Sequence, residues 1–121
     1  MQNKNKKIKG AYYEDEACVF LKKRGYAIIE RNFTCKTGEI DIVAEEGETI
    51  VFIEVRYRES ADYGGALLSI TPSKLKKVKK AADYYLYMKG LSGRDIRFDA
   101  LAFEGGTPEL YKNISMPEAE R

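Results

Sequence analysis

Two β-rich runs around a glycine turn constrain the fold of this chain more than any other feature. Residues 39–45 and 49–58 are rich in isoleucine and valine, and a short polar turn containing Gly47 separates them. Such runs on either side of a short turn are typical of a β-hairpin. We therefore place this hairpin at the centre of the predicted sheet.

The pleat of the first hairpin strand decides which side chains share a face. Successive side chains of a strand point to opposite faces. Alternation therefore predicts Glu39, Asp41 and Val43 on one face. It predicts Ile40 and Ile42 on the other.

The register of the hairpin follows from its turn. If the loop is Gly47 and Glu48, or any even-length loop centred there, Asp41 faces Glu54 directly. Their Cβ atoms would then lie roughly 5 Å apart. Alternation also predicts Arg56 on the same face as Glu54.

The facing acids suggest a metal site. Two carboxylates flanked by apolar residues repel each other unless a positive charge lies between them. Oxygen ligands suit Mg²⁺ or Mn²⁺, and Arg56 adds a positive charge for a phosphate. Asp41, Glu54 and Arg56 together predict metal-assisted phosphodiester hydrolysis. The alternative is that the acids are structural partners of Arg31, Arg56 or Arg97.

A helix is predicted before the hairpin, at residues 11–24. Gly25 stands where a helix C-cap belongs. The apolar stripe has helical spacing and comprises Tyr13, Ala17, Phe20 and Leu21. Glu14 shares a helical edge with Cys18 and borders this stripe, so it is a third candidate metal ligand. The alternative is a carboxylate that only ends the core.

A second helix is predicted after the hairpin. Thr71 suits the cap, Pro72 suits the first helical position, and the helix continues until Gly90. Its apolar stripe is Leu75, Val78, Ala82, Tyr85 and Leu86. Further strands are predicted at residues 26–33 and 95–104 and near residues 110–111. The order of helix, three strands, helix and strand predicts an α/β sandwich on a mixed sheet.

A chain of 121 residues is long enough for one domain with a single core. We expect a basic flexible tail at residues 1–10, the domain at 11–115 and a disordered tail at 116–121. A mobile loop is expected at 60–70. No segment approaches the roughly 20 apolar residues that span a bilayer. The N-terminus lacks the apolar stretch of a secretory signal, so we expect a cytoplasmic protein without a membrane partner.

The absence of histidine from the sequence limits the possible chemistry. It excludes serine–histidine, cysteine–histidine and histidine–metal mechanisms and leaves carboxylates, lysines, arginines and tyrosines. Cys18 and Cys35 are predicted to be reduced thiols that pack as small hydrophobes.

The net charge of +2 is unevenly distributed. Lysines cluster at the N-terminus and in the second predicted helix, at positions 4, 6, 7, 9, 74, 76, 77, 79 and 80. Such clusters are typical of contact with a phosphate backbone. The alternative is a solvated helix face and a solvated tail.

Three stretches in this order resemble a known family: Gly38-Glu39-Ile40-Asp41-Ile42-Val43-Ala44, Val51-Phe52-Ile53-Glu54-Val55-Arg56-Tyr57-Arg58 and Arg97-Phe98-Asp99. The chain is similar to the bacterial YraN-like family, predicted endonucleases related to archaeal Holliday-junction resolvases in the PD-(D/E)XK superfamily. The resemblance extends from residue 10 to residue 99. It implies a restriction-endonuclease-like three-layer sandwich with an αβββαβ core.

The resemblance also implies roles for single residues. It makes Asp41 the motif aspartate, Glu54 the second acid and Glu14 the acid of the first helix. The motif lysine falls at Arg56, which stays protonated and cannot relay a proton. Lys74 is a candidate to replace that lysine, and the alternative is one more solvated lysine on a basic helix.

We therefore expect a Mg²⁺- or Mn²⁺-dependent endonuclease for structured DNA. The expected nucleic-acid contacts are Lys74, Lys77, Arg56, Tyr57 and Arg58. Specificity for branched DNA rests on the resemblance alone. Symmetric cutting of a four-way junction would require a homodimer. The alternative is a catalytically impaired nuclease fold that binds nucleic acid or assembles a complex.

Overall fold

The computed structural model describes residues 2–58, 69–105 and 107–114. The elements in chain order are α1 (Gln2–Lys23), β1 (Ala27–Cys35), β2 (Gly38–Glu46), β3 (Thr49–Arg58), α2 (Pro72–Met88), β4 (Ile96–Glu104) and β5 (Thr107–Tyr111). Most of the loop expected at 60–70, and all of the tail expected at 116–121, lie outside the described residues. No described helix is long and apolar enough to cross a membrane.

The strands form one mixed sheet in the order β1-β2-β3-β4-β5. Neighbouring strands are antiparallel, except that β3 and β4 are parallel. Parallel neighbours need a long crossover connection, and α2 lies in that connection. One hydrophobic cluster joins α1 to one face of the sheet, and a second joins α2 to the other. The predicted three-layer α/β sandwich is therefore confirmed.

The β2–β3 hairpin has the predicted register. Ile42 pairs with Ile53, and the same register leaves Gly47 and Glu48 as a two-residue turn. Gly47 has φ of 62°, a left-handed conformation that glycine adopts without a Cβ clash. The paired register ends at Ile42 and Ile53, and beyond it the Asp41 carboxylate accepts the backbone N–H of Val55.

Alternation in β2 breaks at Asp41. Ile40 packs in the cluster on the α2 side, whereas Ile42 packs in the cluster on the α1 side. The prediction that these two isoleucines share a face is therefore wrong. The β1–β2 register places Asn32 of β1 opposite Asp41, and Asn32 has φ of 55°. A left-handed residue interrupts the pleat of its own strand, and β2 loses its alternation at the residue that faces it.

Both helices occupy the predicted positions, although α1 begins earlier. The Thr71 hydroxyl accepts the backbone N–H of Lys74 at 3.2 Å, and Pro72 is the first residue of α2. Every residue of the predicted α2 stripe is buried. α1 ends just before Gly25, but residues 2–10, which we expected as a flexible tail, are helical. Lysine and glutamine have good helix propensity, which explains the extension.

Gly38 lies where β2 approaches the backbone of α2 closely. A Cβ at Gly38 would lie 3.1 Å from the Lys77 carbonyl oxygen. We expect Gly38→Ala to shift α2 and to lower the free energy of unfolding by about 1 to 2 kcal/mol. Urea denaturation measures this change. The control is Gly10→Ala, because a Cβ there meets no heavy atom within 4 Å. Equal stabilities of the two variants would show that α2 leaves room for a Cβ at Gly38.

A buried acid on β4 organises hydrogen bonds on the α1 side of the sheet. Asp99 is fully buried. Its carboxylate accepts from Arg97 Nε at 2.9 Å and from Arg97 Nη2 at 2.8 Å. It also accepts from the Tyr26 hydroxyl and from the backbone N–H of Asn113, both at 2.9 Å. Arg97 donates further to Glu46 at 2.7 Å. The network joins β4 to the ends of α1 and β2.

Candidate active site

A small pocket between the sheet and α2 contains both acids of the hairpin. Its volume is about 180 Å³. The strands supply three acids and one arginine to the pocket and α2 supplies two lysines: Glu39, Asp41, Glu54, Arg56, Lys74 and Lys77. The structure therefore brings together four of the five catalytic candidates predicted from the sequence. We call this cavity the acidic pocket.

Asp41 and Glu54 lie beside each other where the β2–β3 ladder ends. Asp41 Oδ2 accepts the backbone N–H of Val55 across the hairpin at 2.8 Å. Glu54 is only 5% exposed, and its Oε1 accepts from Arg56 Nη2 at 3.1 Å. Its other oxygen, Oε2, is buried and has no hydrogen-bond partner within the described part of the chain. A buried carboxylate oxygen without a partner is costly, so Oε2 favours a cation or a proton.

The electrostatics of the acidic pocket disfavour two free negative charges. Burial raises the pKa of Asp41, and the charges of Glu14 and Glu39 raise it further against the opposing effect of a backbone N–H and Arg56. Burial also raises the pKa of Glu54, and the charge of Asp41 adds to this effect. The single positive charge of Arg56 therefore does not balance the two carboxylates of Asp41 and Glu54.

Arg56 has a donor that no described residue uses. Its Nη2 binds Glu54, but its Nε is buried and has no partner among the residues that the structure describes. A guanidinium N–H of this kind suits an oxygen of a phosphate. Because arginine stays protonated, Arg56 is able to bind and stabilise negative charge but not to relay a proton.

Glu14 does not line the acidic pocket, although its charge adds to burial in raising the pKa of Asp41. Its Oε1 accepts from Asn32 Nδ2 at 3.0 Å and lies 3.5 Å from Arg31 Nη2. In the described ranges, no group of three or more acidic, cysteine or histidine side chains is placed to hold a metal. Of the three predicted metal ligands, Asp41 and Glu54 line the acidic pocket and Glu14 does not.

The predicted nucleic-acid contacts divide between two faces of the sheet. The two lysines of the acidic pocket are exposed on α2. Tyr57 instead faces α1 and stacks on Tyr13, with ring centroids 4.4 Å apart. Period-two alternation imposes this separation, so Tyr57 does not share a binding face with Arg56. Arg58 is exposed at the end of β3.

The sequence matches known proteins over most of its length. The profile described as "Uncharacterised protein family UPF0102" matches residues 13–103, a range that contains the whole acidic pocket. The chain belongs to family UPF0102. The YraN-like resemblance identifies this same family, so that prediction is confirmed.

Three relatives illustrate the extent of the UPF0102 match. A UPF0102 protein of Neisseria gonorrhoeae strain NCCP11945 is 42% identical over 107 residues, covering 88% of this chain and 93% of that protein. A UPF0102 protein of Geobacter sulfurreducens is 44% identical, with 85% and 80% coverage. One from Herminiimonas arsenicoxydans is also 44% identical, with 89% and 86% coverage. The match therefore extends over nearly the whole of each protein.

Neutralising Glu54 should stabilise the metal-free UPF0102 protein. The pKa of Glu54 is raised in the folded state, so stability is lost as the pH rises above the ordinary carboxylate range. We expect Glu54→Gln to equal the wild type at about pH 5 and to be about 1 to 3 kcal/mol more stable at about pH 8. Glutamine keeps the size of the side chain and an acceptor for Arg56.

Urea denaturation in EDTA across this pH range measures the effect. The matched control is Glu48→Gln in the exposed hairpin turn, which should keep the pH dependence of the wild type. If Glu54→Gln is less stable than the wild type at about pH 8, the negative charge of Glu54 does not lower the free energy of unfolding.

Proposed function

We propose that this UPF0102 protein is a metal-dependent nuclease that hydrolyses phosphodiester bonds in structured DNA. The observation that carries the proposal is the pair formed by the half-buried Asp41 and the buried Glu54, because Glu54 Oε2 has no partner within the described residues. The pair faces a pocket with a basic rim. Buried acids beside cations suit a divalent ion that is shared between the protein and a phosphate.

The donor set fits Mg²⁺ or Mn²⁺. Both ligands are carboxylates, and Mg²⁺ is commonly held by one or two carboxylates, with waters and substrate phosphates completing its shell. Asp41 and Glu54 would hold the ion, and Glu14 would support it through its charge. When bound, the ion would polarise the phosphoryl group and lower the pKa of a bound water.

The cations of the acidic pocket would bind the substrate. Arg56 would donate to the scissile phosphate and stabilise the charge that develops on it. Lys74 and Lys77 lie on the exposed side of the pocket and would contact neighbouring phosphates, so binding should weaken with salt. The preference for structured and branched DNA follows the YraN-like resemblance.

The Arg56–Glu54 ion pair favours a second candidate function. It neutralises part of the acid pair, and an arginine replaces the lysine of the nuclease motif. A chain with these features would suit a nucleic-acid-binding module without turnover. In that case the protein should bind DNA in a gel-shift assay and should not cleave it in either Mg²⁺ or Mn²⁺.

A cleavage assay tests the proposal against this alternative. Labelled four-way junction, flap, duplex and single-stranded DNA are incubated with excess protein in Mg²⁺, Mn²⁺ or EDTA. The nuclease proposal expects products from at least one DNA in a divalent metal and none in EDTA. Intact DNA in every metal condition contradicts it.

A further inference from the structure

A second, larger cavity lies next to the acidic pocket along α2. Its volume is about 450 Å³, within the range of roughly 300–1,000 Å³ that is usual for ligand pockets. The β1–β2 turn forms one wall, and the C-terminal half of α2 forms the other. We call it the aromatic pocket, and the residues used below are Phe33, Cys35, Lys36, Lys80, Tyr84 and Met88.

The aromatic pocket presents apolar surface to solvent. Tyr84 is 46% exposed and Met88 is 52% exposed. The rings of Phe33 and Tyr84 lie 6.4 Å apart and are tilted by 35°, so they do not cover each other by stacking. A half-exposed ring beside an apolar wall suits a flat aromatic ligand.

The charge of the aromatic pocket specifies this ligand further. Lys36 and Lys80 are both exposed at its wall. None of the eight described residues that line it is a carboxylate. The surface therefore favours a molecule with a flat ring and a negative group, which is the chemistry of a nucleotide.

Residues of α2 line both pockets. Lys77 lines the acidic pocket, and Lys80, almost one helical turn later, lines the aromatic pocket. From Lys74 to Tyr84 the helix rises about 15 Å. At the B-form rise of roughly 3.4 Å per nucleotide, this distance corresponds to roughly four nucleotides, and to fewer in a stretched strand.

We propose that the aromatic pocket holds an unpaired nucleotide of the strand whose scissile phosphate lies in the acidic pocket. The base stacks on Tyr84 beside Phe33 and Met88, and Lys36 and Lys80 bind its phosphates. This inference rests on the proposed function and names the substrate class. That class is DNA with a single-stranded segment beside the cut, such as an overhang, a flap or an opened junction arm.

The test measures binding in EDTA, so that it does not depend on cleavage. Fluorescence anisotropy compares a blunt duplex with the same duplex carrying a short oligothymidine overhang. The overhang should tighten binding to the wild type. Tyr84→Ala should weaken overhang binding by roughly 5- to 100-fold, whereas Tyr84→Phe keeps it. The matched control is Tyr87→Ala on the same helix, because Tyr87 is 77% exposed and lies outside the pocket.

Cys35 provides a second readout in the unmodified chain. It lines the aromatic pocket, whereas Cys18 is buried in the core. A hydrogen bond with Thr37 lowers the pKa of the Cys35 thiol, which favours its reaction with a thiol reagent. The overhang DNA should slow this reaction, and the blunt duplex should not.

Four results would overturn the inference: no DNA binding, equal affinity for the two DNAs, equal effects of Tyr84→Ala and Tyr87→Ala, or an unprotected Cys35. A dimer that forms in ultracentrifugation and that Tyr84→Ala dissociates would assign the pocket to protein contact and would also overturn it. The proposed nuclease function fails by a different result, the absence of metal-dependent cleavage.

Discussion

Asp41→Asn should lower the rate of metal-dependent DNA cleavage by at least about 100-fold. In the proposed site, Asp41→Asn would remove one of the two carboxylate charges that hold the metal, and such a metal contributes several kcal/mol to phosphoryl transfer. Asparagine has the same size and still accepts the N–H of Val55, so the hairpin keeps its closing hydrogen bond. Single-turnover cleavage of the preferred labelled DNA measures the rate.

The control for this substitution is Asp83→Asn. Asp83 is exposed on α2 and lies outside both pockets, so its neutralisation should change the rate by no more than about twofold. Thermal unfolding establishes that both variants are folded. Wild-type cleavage by Asp41→Asn would mean that the activity belongs to another site or to a contaminating nuclease.

Asp99→Ala should cost about 3 to 5 kcal/mol of unfolding free energy. Breaking a buried ion pair is strongly destabilising, and here Arg97 would lose both of its bonds to the carboxylate and retain its bond to Glu46. The Tyr26 hydroxyl and the Asn113 N–H would lose their acceptor as well. Urea denaturation at neutral pH measures the loss.

Two controls distinguish the effect of disrupting the buried network from the effect of removing an acidic side chain in general. Tyr26→Phe removes the hydroxyl that donates to Asp99 and accepts from Arg97, and it should cost about 1 to 2 kcal/mol. Asp95→Asn changes an exposed acid and should lie within about 0.5 kcal/mol of the wild type. If Asp99→Ala costs no more than Tyr26→Phe, the ion pair does not stabilise the sheet.

The sequence predicted the parts of the molecule that local rules determine. The Gly47 turn and the β-rich runs set the hairpin register, and just beyond its last pair Asp41 and Glu54 line the same pocket. The Thr71 cap and the apolar stripe set α2. These features depend on residues that are close in the chain, so alternation and helical spacing reveal them. They were sufficient to predict that Asp41, Glu54 and Arg56 lie on one face of the hairpin.

Features that depend on distant partners were not predictable in this way. Tyr26 and Asp99 are 73 residues apart in the chain, and no periodicity links them. The break in alternation at Asp41, opposite the left-handed Asn32, places Ile40 on the α2 side of the sheet, and period-two alternation does not reveal it. The aromatic pocket likewise requires the β1–β2 turn to meet the end of α2. Only the packed sheet brings these residues together.

Mn²⁺ binding tests most directly the claim that Asp41 and Glu54 hold a divalent cation. Electron paramagnetic resonance of free Mn²⁺ is recorded during titration with the wild type and with Glu54→Gln, each with and without duplex DNA. We predict that the wild type removes free Mn²⁺ from solution and that Glu54→Gln binds it at least roughly tenfold more weakly. Equal affinity in the two proteins, or no Mn²⁺ bound by the wild type even with DNA, would contradict the metal site.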